Sequence, residues 1–135
     1  VEELELPLFQ IGVRALCHEE HLFRAEAGIG FLDARTMYEN GIPHNVLPND
    51  FPKNIYISFD VDGMDPSVIR STGTPVPGGL GWYESIRLIE KCISQRTLVG
   101  FDVVELAPSP GDHASDFAAA QLVYSIMGIV QRQSN

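Results

Sequence analysis

Asp60 and Asp62 stand one residue apart at the end of the apolar run Asn54–Val61 (NIYISFDV). Side chains at i and i+2 of a strand share a face. The pair therefore offers anionic oxygens to one side. Like charges held that close inside a fold cost free energy unless a cation neutralises them. Carboxylate oxygens favour Mg²⁺, Ca²⁺ or Mn²⁺. The same spacing also suits a simpler arrangement, in which one aspartate caps the following turn and the other is solvated. A third carboxylate, Glu105, closes a second apolar run, Thr97–Leu106 (TLVGFDVVEL).

These carboxylates need elements that bring two strand ends together. Pro7–Leu16 reads as a buried strand, Cys17–Ala27 as a short helix stopped by Gly28, and Gly30–Leu32 as a second strand. Ala34–Asn40 reads as another short helix, ended by Gly41, and the proline-rich Pro43–Pro52 as a loop. Asn54–Val61 reads as a central strand covered on both faces. Asp62–Gly81, dense in Gly, Pro, Ser and Thr, reads as a long ordered loop, and such loops are usually functional. Trp82–Ser94 has apolar residues at helical spacing, and Thr97–Leu106 is a further buried strand. Ser115 can cap a last helix with the inner stripe Ala119, Leu122, Val123, Ile126, Met127 and Val130. Strands alternating with helices imply a parallel α/β sheet, whose ligands bind beyond the carboxyl ends of the strands. Both acidic groups lie there.

A chain of 135 residues, 44% of them hydrophobic, can build a core. Its net charge of -9 argues against a nucleic-acid partner. No run is long and apolar enough to span a membrane, and no secretory leader is visible. Cys17 and Cys92 lack metal or redox spacing and are expected to be two reduced, buried thiols in a cytoplasmic protein. His18, His21, His44 and His113 fall in helix or loop without ligand spacing and are expected at the surface.

The run SFDVDGMDPSVIRSTGTPVPGGL, Ser58–Leu80, resembles the signature of the ureohydrolases, the arginase and agmatinase family of binuclear manganese enzymes. The resemblance implies a partial three-layer α/β/α, arginase-like fold, residues 1–135 forming the C-terminal portion of a ureohydrolase domain. It implies that Asp60 bridges two Mn²⁺ ions, that Asp62 binds one of them, and that Thr72-Gly73-Thr74-Pro75 borders the substrate through Thr74. Glu105 falls where the family carries a guanidinium-contacting glutamate, so it is the implied catalytic and substrate-binding carboxylate. Asp65 and Pro66 read as shaping the turn, and Asp102 as structural, pointing away from Glu105. A haloacid-dehalogenase-type phosphatase also opens its site with Asp-x-Asp, but Met64 stands where that motif usually carries a hydroxyl residue.

The implied reaction is manganese-dependent hydrolysis of a small guanidino compound to urea and an amine. The segments Gln10–Arg14 and Gly111–Ser115 resemble the agmatinase branch, which points to agmatine, putrescine and polyamine biosynthesis. Arginine and other guanidino acids are the alternative substrates, and an inactive or structural piece is the alternative role. The family's Gly-Gly-Asp-His and Asp-Ala-His-x-Asp segments do not occur, and Asp33-Ala34-Arg35 lacks the histidine of the second. These 135 residues alone are therefore expected to be inactive. Ile69-Arg70-Ser71 departs from the family pattern, and Arg70 is expected to point outward. Homo-oligomers are common in the family and are implied here.

Overall fold

A computed structural model describes residues 6–94 and 96–133. The chain runs β1 (Phe9–Ile11), α1 (His18–Glu26), β2 (Gly30–Leu32), α2 (Ala34–Asn40), β3 (Asn54–Asp60), one 3-10 turn (Val61–Gly63), α3 (Trp82–Ile93), β4 (Thr97–Val104) and α4 (His113–Gln133). The order and class are those expected, parallel strands alternating with helices. The strands do not form one sheet among the described residues. They form two parallel pairs, β1 with β2 and β3 with β4.

β1 and β2 are only three residues each, shorter than the run from Pro7 to Leu16 suggested. Their pairing continues past the strand ends, where the Gly12 amide donates to the Leu32 carbonyl at 2.9 Å and the Ala34 amide to Val13 at 3.1 Å. α1 begins with a capping box, in which the Glu20 amide donates to Cys17 Sγ and the Cys17 amide to the Glu20 carboxylate. Cys17 is therefore exposed rather than buried, because a capping side chain must reach the free amides at a helix end. Cys92 is buried as expected, and burial pushes its thiol up to about 11.

One core joins α2, β3, α3 and α4 through Met37, Ile55, Leu88, Ile93, Leu122 and Ile126, with α4 packing on β4 and α3. Met127 is a correction to the expected stripe of α4, since it is 57% exposed and Ile129 is buried in that row instead. Positions 122, 126 and 129 follow the i, i+4, i+7 ridge of a helix, which position 127 leaves.

β3 is a second correction. Its inward residues Ile55, Ile57 and Phe59 alternate with exposed Asn54, Tyr56, Ser58 and Asp60, so only one face is covered. The polar tips on the open face bond across to β4. Tyr56 Oη donates to Asp102 at 2.9 Å and Ser58 Oγ donates to Asp102 at 2.7 Å. An irregularity between Ile55 and Tyr56 shifts the register, placing Gly100 beside the Tyr56 ring. From there Ser58 meets Asp102, and Asp60 meets Val104. That register brings Glu105 to the strand exit next to the acidic pair.

Candidate active site

The acidic pair converges by a different route from the one expected. Asp60 is the last residue of β3, but Asp62 lies in the 3-10 turn that follows, so strand alternation does not set its direction. The turn forms because Val61 is fully buried and the Met64 amide bonds back to the Val61 carbonyl at 3.1 Å. Asp60 is exposed, yet its carboxyl sits above its ordinary range. Partial desolvation is the largest cause, followed by the charges of Asp62, Glu105 and Asp102. Four carboxylates thus share one neighbourhood, and none of them takes part in the described ion pairs.

Glu105 reaches that neighbourhood through its backbone. It is the one non-glycine residue with positive φ among the described residues, at 65°. A regular strand would turn residue 105 to the face opposite Val104. Left-handed backbone breaks the alternation at the strand exit. Such a conformation costs an L-residue roughly 1–2 kcal/mol and is found where surrounding structure enforces it. The enforcement is visible. Leu106 bridges to Thr72, and the Ala107 amide donates to the Ser71 carbonyl at 2.9 Å.

The loop from Asp65 to Gly81 is ordered by its own bonds. Asp65 accepts from the Ser67 amide at 3.0 Å and from the Gly78 amide at 2.9 Å, closing the loop on itself. Gly79 lies against the Met64 backbone, where an added Cβ would come within 2.5 Å. The Leu80 amide then donates to Gly63 at 3.0 Å, and the Asp65 amide to Leu80 at 2.9 Å. At the mouth of the loop, Thr74 Oγ1 donates to Asp62 Oδ2. Thr74 is thus tied to the acidic pair as well as exposed beside it. Arg70 points outward as expected and pairs with Asp112 at 3.3 Å. His18, His21, His44 and His113 are all exposed.

These bonds hold the Asp65 carboxylate down at about 2, with the Ser67 contacts contributing most, then the Gly78 amide. A carboxylate depressed below its ordinary 3.8 contributes stability above that pH and loses it as pH falls toward 2. Asp65→Asn is therefore expected to lower the melting temperature at pH 7. The gap from wild type should close between pH 3.8 and about 2. Melts across that range check it, and a gap constant with pH would count against the closing role of the carboxylate.

The donor set fits part of a divalent-cation site. It consists of hard carboxylate oxygens, and their mutual repulsion is what a bound cation relieves. It is not a complete site, since among the described residues no group of three or more His, Cys, Asp or Glu side chains is arranged to hold a metal ion. No helix among those residues is long and apolar enough to cross a membrane.

Residues 2–128 match the Arginase family. The chain belongs to the arginase family. It is 36% identical to N(1)-aminopropylagmatine ureohydrolase of Synechocystis sp. over 129 residues, 95% of this chain and 42% of that protein. It is 30% identical to agmatinase of Pyrococcus horikoshii over 132 residues, 98% of this chain and 46% of that protein. The crystal structure of agmatine ureohydrolase of Thermoplasma volcanium superposes with a TM-score of 0.79 at 30% identity, over 92% of this chain and 42% of that one. The fold is thus a partial α/β arginase-family fold, and the chain spans less than half the length of these relatives.

Within this arginase-family site, two residues carry only a faint signal in the sequence. Asp102 is structural as expected, bonded by Tyr56 and Ser58, and it also adds the smallest of three charges to the field on Asp60. Its signal was the Asn-Tyr-Ser-Asp alternation of β3, which marks a polar face that Asp102 joins across the register. Arg14, at the end of the Gln10–Arg14 segment, reaches the carbonyls of Asp62 and Val76. Its trace in the sequence is a single cation two residues after Gly12.

Proposed function

We propose that this chain is the C-terminal portion of a binuclear manganese ureohydrolase that hydrolyses a guanidino amine to urea and the free amine. Agmatine and its aminopropyl derivative are the proposed substrates, which places the product amine in polyamine biosynthesis. The observation that carries the reading is the meeting of Asp60, Asp62 and Glu105 at two adjacent strand exits, in a chain of the arginase family.

Asp60 and Asp62 would hold the two manganese ions. When bound, such ions supply Lewis acidity, which makes water nucleophilic near neutral pH. That is needed because three nitrogens share the charge of a guanidinium and leave its carbon a poor electrophile. Glu105 would accept two parallel N–H bonds from the planar cation and orient that carbon toward the nucleophile. Thr74 would border the substrate while its hydroxyl holds the Asp62 carboxylate. The remaining metal ligands and the group that protonates the leaving amine would come from segments outside these residues. Taken alone, the 135 residues are then inactive. Two free cysteines suit a reducing, cytoplasmic setting. Exposed Tyr56, Val99 and Val104 on the open sheet face suit burial against further polypeptide, and a homo-oligomer is the proposed assembly.

The test is urea release from agmatine, N(1)-aminopropylagmatine and arginine, with Mn²⁺, by the complete reading frame and by this chain alone. The complete protein should release urea from the two amines in preference to arginine, and only with the metal. No urea from any of the three would overturn the proposal, and preference for arginine would move it to the guanidino acids.

A further inference from the structure

Gln10–Arg14 leaves β1 and ends inside the site, although the proposed chemistry gives it no part. Arg14 Nε donates to the Val76 carbonyl at 2.9 Å, and Nη2 donates to the backbone carbonyls of Asp62 at 2.7 Å and Val76 at 2.5 Å. Longer contacts run to the Met64 carbonyl at 3.3 Å and the Gly63 carbonyl at 3.5 Å. One half-buried guanidinium thus serves two separate segments, the acidic turn and the loop beside Thr74. Asp62 is held at both ends, its carbonyl by Arg14 and its carboxylate by Thr74.

The grip has a firm base. Gly12 and Val13 are bonded to the end of β2, as the amide bonds to Leu32 and from Ala34 show. Gly12 has φ of 80°, and a Cβ there would come within 3.2 Å of the Leu80 side chain. Glycine lets the strand exit abut the end of the loop and aims residue 14 into the gap. The bonds that hold Arg14 therefore cross from the β1–β2 pair to the site carried by β3 and β4.

We propose that Arg14 is a positioning residue, a fork that locks the Asp62 turn to the substrate loop. The inference rests on the reading of this site as a cation-dependent ureohydrolase centre. It makes the planar geometry of the group the essential property. Arginine presents five N–H donors in a fixed fork, whereas lysine is a compact point charge with three rotatable donors. If Arg14 acted only as a positive charge that offsets the surrounding carboxylates, lysine would replace it. As a fork it has no such substitute.

The experiment compares wild type, Arg14→Lys and Arg14→Gln in the complete reading frame, by amide hydrogen exchange, Mn²⁺ titration and kcat and KM for urea release. Both variants should exchange about 10-fold faster at residues 62–64 and 72–78 with the rest of the chain unchanged. Both should weaken Mn²⁺ binding by roughly 10–100-fold, as loss of a residue that orients a metal ligand does. The lysine variant should be as deficient as the glutamine variant. Wild-type exchange and affinity in Arg14→Lys would overturn the proposal, and so would faster exchange spread evenly over the chain. Should wild type release no urea, the functional reading fails while exchange at the two segments still judges the fork.

Discussion

Asp60→Asn in the complete protein is expected to reduce urea release by at least about 100-fold while raising the melting temperature of the cation-free protein. The two effects share one cause. The aspartate is placed among Asp62, Glu105 and Asp102, whose charges add to desolvation in pushing its carboxyl up. Its proton is held more tightly in the folded than in the unfolded state. That linkage favours folding fully below the ordinary 3.8, and the contribution is lost as pH rises through the elevated folded value. At pH 7 the charged carboxylate is therefore a burden that an isosteric amide removes. The stability gain should be present at pH 7 and vanish below pH 3.8, where both side chains are neutral. Mn²⁺ should reverse the order, raising the melting temperature of wild type well above that of the variant, because a ligand that binds only the folded state stabilises it by mass action. Melts with and without Mn²⁺, paired with the urea assay, measure both halves. A variant less stable than wild type without cation would show that Asp60 serves the fold rather than the site.

The sequence revealed the elements of this fold more clearly than their directions. The order of helices and strands was legible, although β1 ends at Ile11 rather than Leu16, because buried rows such as Leu122, Ile126 and Ile129 leave a mark in the order of the chain. The alternation of β3 is present in the sequence as well, with Asn54, Tyr56 and Ser58 set between the inward apolar residues. What could not be read was geometry made by distant backbone. Asp62 faces the site because a 3-10 turn follows the strand. Glu105 leaves the strand alternation because Leu106 and Ala107 are pinned to residues 71 and 72. Arg14 meets carbonyls 48 and 62 positions away in the chain, and carbonyl acceptors have no sequence signature. The signature from Ser58 to Leu80 could be recognised as a pattern, but its physical content lies in contacts such as Gly79 against the Met64 backbone.

Glu105 permits a sharper separation of side chain from backbone. Its φ of 65° is a cost imposed by the bonds that pin Leu106 and Ala107, so the side chain and the backbone can be varied apart. Glu105→Gln keeps shape and backbone but removes the charge that would grip a guanidinium. Hydrogen bonds to charged groups are worth about 1.5–3 kcal/mol each, so weakening a bidentate pair should cost about 3 kcal/mol, or about 100-fold in kcat/KM. Glu105→Gly removes the side chain and relieves the backbone. Relief of roughly 1–2 kcal/mol is offset by about 0.5–1 kcal/mol of added chain entropy in the unfolded state, so stability should hold or rise slightly. Glu105→Ala keeps the strain and loses the carboxylate, and should be both inactive and no more stable than wild type. Melting temperatures and kcat/KM for the three variants decide the matter. The expected pattern is Gly at or above wild type in stability and Ala at or below it, with Gln, Gly and Ala all deficient in turnover. A glutamine variant with wild-type kcat/KM would remove Glu105 from the substrate site and leave its left-handed backbone as a feature of the loop junction alone.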